Sequence, residues 1–168
     1  MIIKTFYVMI SDRGEIMKTN YKMMIKQLDS MLSNETNIIG ILANTSALLF
    51  DTLPHINWAG FYLYDQQHDK LILGPFQGKV ACMHIPMNKG VCGTSAYTQK
   101  TLVVDDVHTF EGHIACDSAS NSEIVIPIII NNALFGVLDI DAPIKNRFSG
   151  EDKLYLEQFV DVLKKHIS

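Results

Sequence analysis

Two β-rich runs, residues 123–130 (EIVIPIII) and 133–141 (ALFGVLDID), are separated only by Asn131 and Asn132. Asparagine tolerates positive φ, so a two-residue connection of this kind predicts a tight antiparallel hairpin. Strands this apolar need cover on both faces, which puts a sheet at the centre of the fold. Within the second run Asp139 and Asp141 alternate with Leu138 and Ile140, and the period-two pleat points both aspartates to one face. A regular ladder pairing Ile130 with Ala133 sets Glu123 opposite Ile140, away from the aspartates. Pro127 cannot occupy an unbroken central ladder, and one extra residue there turns Glu123 to the aspartate side. The expectation is a three-carboxylate cluster of Glu123, Asp139 and Asp141 at one end of the hairpin, with a bulge at Pro127.

Around this hairpin the pattern is α+β. Met24, Leu28, Met31 and Leu32, then Ile38, Ile41, Leu42, Thr45 and Leu49, follow helical spacing and predict two amphipathic helices, the second ended by Pro54. Residues 57–64 (NWAGFYLY) read as a strand covered on both faces, with Trp58 and Tyr62 on one side of it. The loop DQQHDK leads into a strand at Leu71-Ile72-Leu73. Gly and Pro punctuate residues 74–88, which read as mostly irregular with a short strand at 81–85. A short helix over 93–99 and a strand over 101–104 precede a long polar segment, 105–122. Ser149 and Asp152 match a capping box before a closing helix built on Leu156, Phe159, Val160, Leu163 and Ile167.

The chain has 168 residues, 48% hydrophobic and 19% charged, a balance that suits one globular domain. A net charge of -4 gives no electrostatic reason to expect a nucleic acid or an anionic membrane as partner. The opening MIIKTFYVMI is broken by Lys4, too short to span a bilayer, and followed by SDRGE, so neither an anchor nor a cleaved signal is expected. Arg13-Gly14-Glu15 can be encoded by a purine run of the kind that precedes bacterial start codons. Residues 1–16 are therefore expected to be a non-native or upstream-start extension, and 17–168 a single domain. Three cysteines, an odd and sparse set, point to a reducing compartment and hence a cytoplasmic protein.

Clustered carboxylates raise one another's pKa, so one can stay protonated near neutral pH as an acid while the others hold a cation. Trp58 and Tyr62 read either as core or as the wall of such a pocket. Cys92, in KGVCGTSA, lies where Gly90 and Gly93 allow close turns at a helix start, and the positive end of the helix dipole favours a thiolate there. Cys116, in GHIACDSASNS, has His108 and His113 nearby but also Asp117 and Glu123, leaving its charge balance open. No CxxC or HxxxH pair links Cys82, His84, Cys92, His108, His113 and Cys116, so no metal is expected. GPFQGK lacks the order of a phosphate loop.

Taken together, NWAGFYLY, LGPFQGKVAC, IPMNKGVCGTSA, VDDVHTFEGHIACDSASNSEIVIP and GVLDIDAP resemble the free methionine-(R)-sulfoxide reductases, single-domain enzymes of GAF fold. The resemblance covers most of residues 57–143 and includes all three cysteines and the carboxylates. It implies an α+β, GAF-like domain over 17–168, a central antiparallel sheet with amino- and carboxy-terminal helices packed on it. It further implies that Cys116 attacks the sulfoxide sulfur, methionine leaves, and the sulfenic acid condenses with Cys82 or Cys92 to a disulfide that thioredoxin reduces, with no other cofactor. A sulfenic acid needs a neighbouring thiol for reversible resolution, and a sulfoxide oxygen needs protonation, so the residues suit that chemistry. By the same resemblance Glu123, Asp139 and Asp141 hold the amino-acid ammonium and polarise the sulfoxide, and Trp58 packs on the S-methyl end with Tyr62 beside it. The competing expectation is a noncatalytic GAF sensor of a small ligand. A homodimer through the amino-terminal helices is a further expectation.

Overall fold

The computed structural model describes residues 19–112 and 119–168. The expected start at Met17, His113 and Cys116 lie outside the described residues.

Asn20 and Asn37 start the two opening helices, α1 (Tyr21–Leu32) and α2 (Ile38–Thr52), by accepting hydrogen bonds from the backbone N–H of Met23 and Gly40. Their inner stripes bury Met24, Leu28 and Leu32, and Ile41, Leu42 and Leu49. Thr45, also inside, satisfies its hydroxyl by donating to the Ile41 carbonyl at 2.7 Å. Met31 and Ile38, which helical spacing also marked, are exposed: each sits at the edge of its apolar stripe.

Among the described residues six strands form one antiparallel sheet in the order β3-β2-β1-β6-β5-β4. They are β1 (Trp58–Asp65), β2 (Lys70–Gly78), β3 (His84–Pro86), β4 (Leu102–Val104), β5 (Ser122–Ile130) and β6 (Ala133–Ala142). The β5–β6 hairpin turns on Asn131 and Asn132 at φ 51° and 62°, as expected of that pair. Two strand expectations need correction. Residues 74–78 are not irregular: β2 runs through Gly74 and Pro75, and the sheet absorbs both where the β1–β2 register shifts between Gly60 and Tyr62. The short strand between β2 and α3 lies at 84–86 rather than 81–85.

The hairpin bulge is also misplaced by the sequence pattern. Ile128 pairs with Gly136 and Ile129 with Leu134, so the extra residue is Phe135 on β6, not Pro127 on β5. β4 pairs only with residues 123–125, leaving the outer edge of β5 open at Pro127, where a missing N–H is tolerated. A bulge on either strand changes the parity of the pairing, so Glu123 faces with the aspartates in both cases; an extra residue at Pro127 would set it opposite Asp139, whereas the bulge at Phe135 pairs it with Asp141.

The sheet has two unlike faces. Ala59, Phe61, Ile124, Ile126, Leu138 and Ile140 point to the side covered by α1, α2 and α4 (Gly150–Ile167), and form the main core with Leu156, Phe159 and Leu163. The closing helix carries the expected capping box between Ser149 and Asp152. Asp152 further accepts from the Tyr21 hydroxyl and from Arg147 Nη1 at 3.1 Å, tying α1 to the start of α4. The other face is covered by α3 (Gly90–Thr98), which starts three residues earlier than the expected helix, and by the segments leading into and out of it.

Candidate active site

On that second face the register lines up the candidate residues in two short rows. Trp58 on β1 pairs with Asp141 on β6, which pairs with Glu123 on β5. Two residues along, Gly60 pairs with Asp139 and Asp139 with Val125. Neighbouring strands lie about 4.8 Å apart, so three acids and an indole share a patch only a few side chains across. Glu123 and Asp139 are 6% and 5% exposed, far less than carboxylates ordinarily are.

Gly60 makes room for the aromatic wall. A Cβ there would lie 2.7 Å from Trp58 Cη2 and 2.3 Å from Phe76 Cβ, so only glycine lets the indole lie along the strand. Trp58 stacks between Tyr62, with ring centroids 5.9 Å apart, and Phe76, at 5.2 Å. Both polar tips are used: the indole N–H donates to the Lys79 carbonyl and the Tyr62 hydroxyl to the Cys82 carbonyl, each at 3.1 Å. The sequence pattern missed Phe76, because Gly74 and Pro75 disguise its strand; an aromatic held between two glycines was the available signal.

Helix α3 brings Cys92 onto the acids. Gly93 allows the approach, since a Cβ there would lie 2.3 Å from the Pro86 carbonyl oxygen. Cys92 is 3% exposed and packs in an apolar cluster with Val91, Val125 and Val137. Its Sγ donates to Glu123 Oε1 at 3.7 Å. The expectation of a helix-stabilised thiolate at Cys92 fails for a physical reason. Burial, then the charges of Asp139 and Glu123, hold the thiol well above its ordinary range. A helix terminus offers roughly half a positive charge, too little against two carboxylates and desolvation.

The acids shift in the same direction. Burial, with the charges of Asp139 and Asp141, pushes Glu123 well above the usual carboxylate range. Burial raises Asp139 to about 6 despite hydrogen bonds with Cys92 and Glu123 that pull it down. Asp139 Oδ1 is buried and has no hydrogen-bond partner among the described residues. Leaving such an atom unpaired costs roughly 1–3 kcal/mol, and a donor entering the pocket removes that cost. The patch can therefore hold a small cationic donor and carry a proton near neutral pH.

Cys82 sits half-buried between β2 and β3 and takes part in a disulfide, whereas Cys92 keeps a free thiol. Among the described residues, Cys92, Glu123 and Asp139 offer three ligand atoms within 4.8 Å of one another, the reach a metal ion needs. The histidines take no part in that group; His108 instead bonds Asn121 through Nε2 at 3.1 Å.

A model of the family described as "GAF domain" matches residues 42–167. The chain is 50% identical over 145 residues to the free methionine-R-sulfoxide reductase of Escherichia coli, spanning 86% of this chain and 87% of that one. The chain belongs to the free methionine-(R)-sulfoxide reductase family of GAF domains. Solved structures of that family superpose closely. The fRMsr of Staphylococcus aureus in complex with substrate is 52% identical, with a TM-score of 0.86 over 92% of this chain and 100% of that one. Free methionine-R-sulfoxide reductase from Neisseria meningitidis, also in complex with its substrate, is 38% identical, with a TM-score of 0.87 over 98% and 95%. The α+β fold expected of a free methionine-(R)-sulfoxide reductase, with an antiparallel sheet between helices, is the fold observed.

Proposed function

We propose that this protein is a thiol-dependent enzyme that reduces free L-methionine-(R)-sulfoxide to L-methionine. The carrying observation is the pair of buried acids Glu123 and Asp139, with Trp58 and the half-buried Asp141 beside them and Asp139 Oδ1 left without a donor among the described residues. The α-ammonium of a free amino acid supplies that donor and that charge; a peptide-linked methionine has no such group. Trp58, Tyr62 and Phe76 form the apolar wall that the S-methyl end needs.

In the proposed cycle the Cys116 thiolate attacks the sulfoxide sulfur while a carboxyl of raised pKa, Glu123 or Asp139, protonates the sulfoxide oxygen. The hydroxyl passes to the Cys116 sulfur as the bond between the two sulfurs breaks, so methionine leaves as the thioether and Cys116 is left as a sulfenic acid. A second thiol attacks that sulfur, releasing water and forming a disulfide. Cys82 is the better resolving thiol, because Cys92 is held protonated by its acidic neighbours, and the participation of Cys82 in a disulfide supports this choice. Thioredoxin then returns both sulfurs to thiols, with no other cofactor. This chemistry suits the reducing cytoplasm, where such a donor is maintained.

Incubating the reduced protein with the separated R and S sulfoxides of free methionine, and counting thiols lost against methionine formed, tests the assignment. Two thiols lost per methionine with the R form alone is the expected result. Methionine formed without thiol loss, or equally from both epimers, overturns it.

A further inference from the structure

The chain as a whole is acidic, yet residues 70–104 contain four lysines, a histidine and no aspartate or glutamate. Cys82 lies in the middle of this stretch, on the strap of residues 79–83 that crosses from β2 to β3. The strap is held from beneath. Trp58 donates to the Lys79 carbonyl, Tyr62 to the Cys82 carbonyl, and the Leu73 N–H to the Met83 carbonyl at 3.0 Å. On this anchored backbone Val80 is 87% exposed and Met83 64% exposed, an unusual position for large apolar side chains. Lys79 and His84, their neighbours in the chain, are also exposed, as is Lys89 just before α3.

We infer that Val80 and Met83, with the basic side chains beside them, form the docking surface for the protein dithiol that reduces the Cys82 disulfide. The inference rests on the cysteine cycle proposed above and names the surface that cycle uses. Disulfide exchange requires a thiolate to reach one sulfur along the S–S axis, so the reductant must cover whatever surrounds the sulfur it attacks. The reductant thiolate bonds to Cys82 Sγ, the S–S bond breaks, and the Cys116 sulfur leaves as a thiolate, ready for the next turnover. The second thiol of the reductant then attacks its own sulfur in the mixed disulfide, and Cys82 leaves as a thiolate that takes up a proton. A reductant with an apolar rim and acidic flanks matches this face: the apolar pair supplies contact area, and the lysines speed the encounter.

The experiment compares thioredoxin, kept reduced by NADPH and thioredoxin reductase, with dithiothreitol as electron donors. For Val80→Asp/Met83→Glu, the KM for thioredoxin is expected to rise about tenfold, with the dithiothreitol-driven rate unchanged. Met83→Glu alone gives a smaller rise in the same direction, and added salt raises the wild-type KM for thioredoxin only. An unchanged KM for thioredoxin in the double variant overturns the docking surface, as does an equal loss with both donors. A wild-type protein that forms no methionine even with dithiothreitol removes the cysteine cycle itself, and the surface with it.

Discussion

Alternate residues of β6 lead into two different environments. Leu138 and Ile140 enter the core beneath α1, α2 and α4, while Asp139 and Asp141 point to the opposite face, the one α3 covers. Ile140 and Asp139 are both buried, at 0% and 5% exposure, and sit next to each other in the chain. Burial nevertheless has opposite signs for them. Removing Ile140 from water stabilises the fold by roughly 1.5–3 kcal/mol, whereas removing a carboxylate without a full set of partners costs stability. One face of the sheet holds the fold together and the other spends part of that stability to keep acids dry and their pKa values high.

Truncating each face in turn should separate their roles. Phe61→Ala, on the core face, should lower unfolding stability by about 4 kcal/mol in a denaturant titration, with the kcat of the folded fraction retained. Asp139→Asn, on the pocket face, should lower kcat/KM for methionine sulfoxide by about 10²–10³-fold, while stability at pH 7 rises by up to roughly 3 kcal/mol. A loss of stability in that variant would mean that the buried aspartate holds the fold together rather than straining it.

The pH dependence sharpens the same point. Asp139 has a folded pKa of about 6, above its ordinary value of 3.8, so the native state keeps a proton that the unfolded chain releases. Its contribution to stability is therefore greatest below its ordinary pKa and is lost as pH rises through the folded value. Wild-type stability should fall with rising pH across that window, and Asp139→Asn should flatten the slope, as read by thermal unfolding at a series of pH values. At the small end, Ile140→Val should cost about 1 kcal/mol and leave kcat and KM where they were.

The two faces were not equally legible in the sequence. Core periodicity, the Asn131-Asn132 turn and the Ser149 capping box each follow from local rules, and the structure has all three. The shared face of the acids was also legible, because parity depends only on there being one bulge. Its position at Phe135 was not, since a bulge is set by packing between strands that no local signal records. Gly74 and Pro75 look like punctuation in the sequence, yet the sheet takes them into β2, and Phe76 with them. Cys92 was misjudged for a similar reason: its helix start is visible in KGVCG, but the acids that oppose it come from residues 31 and 47 positions away. Electrostatics of that kind exists only after folding.

Recognition of the substrate's free ammonium by the acid patch is read from kcat/KM for free methionine-(R)-sulfoxide against the same compound acetylated on nitrogen. A site built around a buried charged contact should disfavour the acetylated compound by about 10³-fold or more, with Glu123→Gln narrowing the gap. Comparable values for the two compounds would contradict the account.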